Sequence, residues 1–141
     1  MLNFSLLWLA HPYPAYPCDL HLYPNQCAAR MGVALRAAGV DLKTFAGVQC
    51  RKTLGHHPQH IMRAQELADW LIKQTQLVGI AEKHHATTAK DFRGRKGIVF
   101  ICNGWGNTDH IDVWDGVVFE MKGGRSEYFT RGERVWFWEL C

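Results

Sequence analysis

A chain of 141 residues with 48% apolar and 21% charged side chains is long enough to bury a core as one domain, residues 1–141, and its composition excludes a disordered tail or linker. The net charge of +3 suits contact with an anionic polymer, but no dense Lys/Arg run marks a nucleic-acid binder. No apolar run is long enough to span a bilayer, which excludes a membrane helix.

In chain order, Phe4-Ser5-Leu6-Leu7-Trp8-Leu9-Ala10 reads as a short packing helix. It lacks a basic n-region and is followed closely by Pro12, Pro14 and Pro17, so it is not expected to be a signal peptide; a cleaved signal is the competing reading. His11 to Tyr23 is punctuated by prolines and aromatics and predicts an irregular lead-in.

Small or apolar residues at Cys27, Met31, Ala34, Leu35 and Ala38 then follow the spacing of a one-faced helix. Asn25 is the expected N-cap and Gly39 the C′ stop. Cys27 falls in the first turn, where unpaired N–H groups and the macrodipole favour an anion, so its sulfur is a candidate nucleophile. A buried cysteine acting as a small hydrophobe is the plainer reading of that position taken alone.

Asp41 to His57 reads as a loop, and Gln59 to about Leu77 as a second helix with Ile61, Met62, Leu67, Ala68, Leu71 and Ile72 on its stripe. Gly79 to Lys96 is polar and reads as a connector. Gly97 to Cys102 is a β-branched and aromatic run that predicts a buried strand. After a turn-rich loop, His110 to Trp114 alternates with period two, and Asp115-Gly116 predicts a tight hairpin into Val117 to Met121. Arg134 to Trp138 reads as the last strand. Helices first and strands after predict an α+β fold with an antiparallel sheet.

Period two places His110, Asp112 and Trp114 on one strand face. A helix-start cysteine with a histidine heading a later strand is the papain-like arrangement of nucleophile and base. Asp112 then orients the imidazole, with Glu120 on the partner strand as the second candidate. Trp105 and Asn107, in the glycine-rich loop before His110, are either substrate-groove or turn residues. Arg30 and Arg36 read as solvated or paired.

Metal ligation has little support in the spacing. None of Cys18, Cys27, Cys50, Cys102 and Cys141 forms a CxxC, and His56, His57, His60, His84 and His85 lack the H-E-x-x-H pattern and read as solvated loop residues. No cofactor or metal is therefore assigned. The odd cysteine count predicts that in an oxidising space four can pair and one stays free.

Four blocks in order resemble the type VI secretion amidase effectors, the Tae toxins. Asn25-Gln26-Cys27-Ala28-Ala29-Arg30-Met31 is similar to their N-x-C-x-x-R-M motif, and Asp91-Phe92-Arg93-Gly94-Arg95-Lys96-Gly97-Ile98-Val99 to their D-F-x-G-K-K-G-I segment. Gly104-Trp105-Gly106-Asn107 resembles their G-W-x-N loop, and His110 to Gly116 their H-[VI]-x-[LV]-W-[DN]-G strand. The resemblance implies a papain-like, NlpC-type fold, with N-terminal helices packed on a C-terminal antiparallel sheet. It implies hydrolysis of amide bonds in peptidoglycan stem peptides or cross-bridges, at a D-glutamyl–diaminopimelate or D-alanyl–diaminopimelate bond.

It also implies delivery without a signal peptide by the type VI secretion machinery, action in the periplasm of a rival cell, and a cognate immunity protein as partner. Cys27 and His110 match the family's nucleophile and base, and Asn25, Gln26, Trp105 and Asn107 are carried over as substrate-binding residues. Met121 stands near the point where the family places an acid, which leaves that part to Asp112 or Glu120. Short segments between and after the motifs point to the third or second effector family beside the fourth. Two other functions fit the same residues: a papain-like acyltransferase or deamidase acting on a protein, and a non-enzymatic wall-binding module.

Overall fold

The computed structural model describes residues 1–141. Helix α1 (Phe4–Ala10) starts at Asn3, whose side chain accepts the Leu6 N–H at 3.0 Å, and turns Phe4 and Leu7 into the core. Helix α2 (Cys27–Ala37) is rich in alanine, which favours the helix and lets it sit close to its neighbours. It stops at Gly39, whose φ of +94° suits a residue without Cβ. Val40 N–H reaches back to Leu35 O at 2.9 Å and Gly39 N–H to Arg36 O at 3.1 Å, the two bonds of a Schellman stop.

The second long helix is shorter than the apolar spacing predicts. It divides into α3 (Ala64–Ile72) and α4 (Thr75–Val78). Ile61 instead pairs with Gln49 in an isolated antiparallel bridge, and Met62 N–H bonds to Val48 O at 3.2 Å. Extended pairing with the preceding loop overrides helical periodicity there. The 79–96 connector is more ordered than its polarity suggests. It contains β1 (Glu82–His85) and a 3-10 turn, Ala89–Phe92, closed by a capping box between Thr88 and Asp91.

Strands β2 (Lys96–Trp105) and β3 (Thr108–Asp115) form the long hairpin at the centre of the molecule. They are joined by β4 (Glu120–Met121), a short helix α5 (Tyr128–Arg131) and β5 (Arg134–Glu139). The sheet is antiparallel throughout, in the order β1-β5-β2-β3-β4, so the last strand lies inside the sheet rather than at its edge. The turn after Asp115 is wider than a two-residue hairpin: four residues, Gly116 to Phe119, separate the paired Asp115 and Glu120.

Alternation divides the sheet's two faces. Ile98, Phe100, Ile111, Val113, Trp136 and Trp138 pack with α1, α2 and α3 in the larger core. Val99, Ile101, Trp114, Val135 and Phe137 form a second cluster with Phe92 and Phe129. The D-F-x-G segment serves this second layer: Phe92 is buried against Phe129 and Phe137, and its carbonyl accepts the Trp114 indole N–H at 3.0 Å. This α+β architecture agrees with the order of elements expected from the sequence. No helix is long and apolar enough to cross a membrane.

All five cysteines are free thiols, not the paired set expected for an oxidising compartment. Cys27, Cys102 and Cys141 lie on α2, on β2 and at the C-terminus, and only Cys18 and Cys50 approach one another closely.

Candidate active site

Helix α2 begins at Cys27, and the N-cap position belongs to Gln26 rather than Asn25. Asn25 still serves the helix start, because its Oδ1 accepts the Cys27 N–H at 3.4 Å. Gln26 is buried and fully bonded to backbone. Its Oε1 accepts the Cys18 N–H at 2.9 Å, while Nε2 donates to Cys18 O at 2.9 Å and Tyr23 O at 3.0 Å. Its side chain therefore clamps the lead-in to α2, with both amide N–H groups bonded to backbone carbonyls.

The Cys27 sulfur is buried beside the hairpin, 3.7 Å from the carbonyl oxygen of Asp109, the residue before His110. His110 Nε2 lies 2.8 Å from Asp112 Oδ2. Burial is the largest influence on His110 and lowers its basicity. Hydrogen bonds to Asp112 and to Cys27, with the charges of both partners, outweigh it and push the pKa up to about 10. The imidazole is thus held as a cation at neutral pH between a carboxylate and a sulfur.

Asp112 is completely buried, and every contact on it is a donor. Its Oδ1 accepts Val113 N–H at 2.8 Å, and the Gly123 N–H reaches Oδ2 at 2.9 Å and Oδ1 at 3.1 Å. His11 Nε2 stands 3.5 Å from Oδ1. Glu120, the other acid considered, is exposed and pairs opposite Asp115. It stands three residues of strand away from the level of Asp112 and does not reach the imidazole.

Several supporting residues have no signature in the sequence. His11 joins the site from the end of α1, and the turn at Gly123-Gly124 closes over it. A Cβ at Gly124 would lie 2.7 Å from His110 Nε2, so only hydrogen fits there. The Tyr128 ring meets the His110 ring edge-on at 5.0 Å between centroids. Arg30 is buried rather than solvated. Its Nε donates to Ala15 O at 2.9 Å and its Nη2 to Pro14 O at 3.2 Å, and the guanidinium stacks over Tyr13 and Tyr16.

Trp105 and Asn107 lie exposed at the tip of the β2–β3 hairpin. Two additional residues on β2 bulge the strand between Ile101 and Trp105, with Asn103 in the left-handed region and its N–H held by Asp109 Oδ1 at 2.9 Å. The bulge bends the tip, and Trp105 presents half of its surface to solvent.

Residues 23–138 match the model of an amidase effector family of the type VI secretion system. That family is amidase effector protein 4, Tae4, and the chain belongs to it. Among curated proteins none matches the chain. Solved structures share its fold along the whole length. The Tae4 effector of Salmonella typhimurium, in complex with the immunity protein Tai4 from Enterobacter cloacae, is 20% identical with a TM-score of 0.72, covering 100% of both chains. The Tae4–Tai4 complex of Enterobacter cloacae is 17% identical with a TM-score of 0.72, covering 100% of this chain and 99% of that one. Tae4 of Enterobacter cloacae alone is 18% identical with a TM-score of 0.70, covering 100% and 98%. The match to the fourth family takes precedence over segment length, which pointed to the third or second.

Proposed function

We propose that this amidase effector is a cysteine-dependent peptidoglycan amidase with a papain-like, NlpC-type catalytic arrangement. Cys27 is the nucleophile, His110 the general base and acid, and Asp112 the group that orients His110. The observation that carries this reading is a helix-start sulfur lying 3.7 Å from the carbonyl oxygen of the residue before His110, with His110 itself bonded to the buried Asp112 at 2.8 Å.

The chemistry follows from that chain. The proton shared by Cys27 and His110 rests on the imidazole, and the resulting ion pair is stabilised by Asp112 behind the ring. The thiolate attacks the amide carbonyl carbon, and negative charge collects on its oxygen. The Cys27 N–H, held only by a long bond to Asn25, turns to that oxyanion as one donor. His110 then gives its proton to the departing amine. Water, deprotonated by His110, attacks the thioester and releases the acid with Cys27 restored.

The substrate is the diaminopimelate-containing peptide of the wall, cut at the D-glutamyl–diaminopimelate or the D-alanyl–diaminopimelate bond. Exposed Trp105 and Asn107, with Asn25, form the substrate-facing side. Delivery by type VI secretion places the enzyme in the periplasm of the target cell, and an immunity protein of the Tai4 kind is the partner that protects the producer.

Digestion of purified peptidoglycan tests the proposal. The wild-type chain releases new muropeptide fragments and Cys27→Ala releases none. The amine set free identifies the bond: the amine at the L-centre of diaminopimelate for the stem, or that at its D-centre, with dimers converted to monomers, for the cross-bridge. Equal release by Cys27→Ala would remove the cysteine mechanism, and no release by either would remove the substrate.

A further inference from the structure

Cys18, Cys50, His56 and His60 come together from loops that surround the entry to α2. Cys18 lies in the proline-rich lead-in, Cys50 follows the Gln49–Ile61 bridge, His56 follows the 3-10 turn Lys52–Leu54, and His60 stands next to Ile61. One ligand atom from each lies within 4.8 Å of all the others. His56 Nδ1 is 3.7 Å from the sulfur of Cys18 and 3.7 Å from that of Cys50, and His60 Nδ1 is 3.9 Å from Cys50 Sγ. The two imidazoles meet edge-on at 4.5 Å between centroids, both with Nδ1 toward the sulfurs.

The three sulfur–nitrogen separations of 3.7 to 3.9 Å match edges of a coordination tetrahedron. Zinc bonds of about 2.3 Å to sulfur and about 2.0 Å to nitrogen put sulfur and nitrogen about 3.6 Å apart across a tetrahedral angle. Hydrogen bonding explains the set less well, because His56 Nδ1 can either give one proton or accept one at its single lone pair, yet it stands equally far from two sulfurs. The His60 backbone N–H also donates to Cys50 Sγ at 3.1 Å, a contact that stabilises negative charge on a metal-bound sulfur.

We propose that Cys18, Cys50, His56 and His60 bind one zinc ion in a closed tetrahedral Cys2His2 site. Binding displaces the two thiol protons to solvent and leaves both imidazoles neutral. With four protein ligands the ion has no open position, so its role is structural and separate from Cys27 and His110. His56 and His60 also line a cavity of about 520 Å3 against the outer side of α2, which gives the ion a path of entry.

The site holds a region that has little regular structure of its own. Between α2 and α3 only the 3-10 turn and one isolated bridge are present. Cys18 carries the constraint to the catalytic helix, because its N–H and C=O are both bonded to the Gln26 side chain directly before Cys27.

The full-length chain, purified with reductant, without chelator and with zinc in the growth medium, should retain about one zinc per chain by elemental analysis. Cys27→Ala should retain the same amount. Cys18→Ser and His56→Asn should each retain less than about a tenth of it, and His56 is only half-buried, so that variant keeps its fold by circular dichroism. X-ray absorption of the zinc-loaded wild type should show two sulfur and two nitrogen neighbours, a reading that does not require any variant to fold. A zinc-free chain with its thiols reduced, a Cys18–Cys50 disulfide in its place, undiminished zinc in both variants, or a shell without sulfur would each overturn the assignment.

Discussion

His11 Nε2 sits 3.5 Å from Oδ1 of Asp112, on the carboxylate oxygen opposite the one that His110 holds at 2.8 Å. Tyr13 N–H donates to His11 Nδ1 at 3.2 Å, which fixes the remaining proton on Nε2, the nitrogen that faces Asp112. Burial, opposed by the Asp112 charge, lowers the His11 pKa to about 4, so this second histidine is neutral where the first is charged. His11 therefore fixes the carboxylate without competing for its negative charge. His11→Ala should lower kcat by about tenfold with KM little changed, through a less fixed Asp112 carboxylate and a less well placed His110. His11→Gln, which keeps a donor and an acceptor, should recover most of the activity; full activity in His11→Ala would reduce His11 to packing.

The two acids near the hairpin separate cleanly. Asp112→Asn keeps the shape but removes the charge and allows the wrong ring orientation, so turnover should fall by more than about tenfold with an unchanged circular dichroism spectrum. Glu120→Gln should leave turnover intact, since Glu120 is exposed and lies opposite Asp115. Steady-state hydrolysis of a muropeptide checks both, and the reverse ranking would transfer the orienting role to Glu120.

The two histidines also shape stability against pH, in opposite directions. His11 titrates at about 4 when folded against 6.5 as its ordinary value. Between those values the unfolded chain binds a proton that the folded chain refuses, so stability falls as pH drops through that window. His110 titrates at about 10 when folded. Its contribution is complete below its ordinary value of 6.5 and is lost as pH rises toward 10. Urea midpoints should peak between the two windows, with His11→Gln flattening the acid side and His110→Gln the alkaline side. A wild-type midpoint that is level from pH 4 to 10 would contradict both assignments.

Local pattern made the scaffold of the site readable from the sequence. Helical spacing after Asn25 placed Cys27 at a helix start, and period two put His110 and Asp112 on one face, because each signal is carried by neighbouring residues. Contacts that close over long loops left no such trace. His11 is a lone histidine at the end of α1, and nothing near it indicates Asp112. Of Cys18, Cys50, His56 and His60, the last two carry an H-x3-H spacing, but neither cysteine sits in a CxxC and Cys18 comes from a separate segment before α2, so no complete metal motif shows. Strand β1 escaped for a different reason: Glu-Lys-His-His is an edge strand whose partner β5 supplies the apolar face, and Glu82 is held by Arg95 rather than by burial. Ile61 and Met62 show the converse, apolar spacing that fits a helix but is overruled by pairing with the 48–49 backbone.

The tightest steric constraint on the site comes from a residue without a side chain. A Cβ on Gly124 would stand 2.7 Å from His110 Nε2, 2.8 Å from Met121 Sδ and 3.0 Å from the Tyr128 ring. Met121 can swing its thioether aside, but the imidazole cannot yield without stretching its bond to Asp112, and the neighbouring Gly123 N–H is itself bonded to that carboxylate. Gly124→Ala should therefore damage activity more than stability. The expected loss is more than about tenfold in kcat/KM, through misplacement of His110, against about 1–3 kcal/mol of overpacking. Urea denaturation and muropeptide hydrolysis measured side by side separate the two effects. Full activity with lowered stability would mean that the turn shifts as a unit, leaving the His110–Asp112 pair undisturbed.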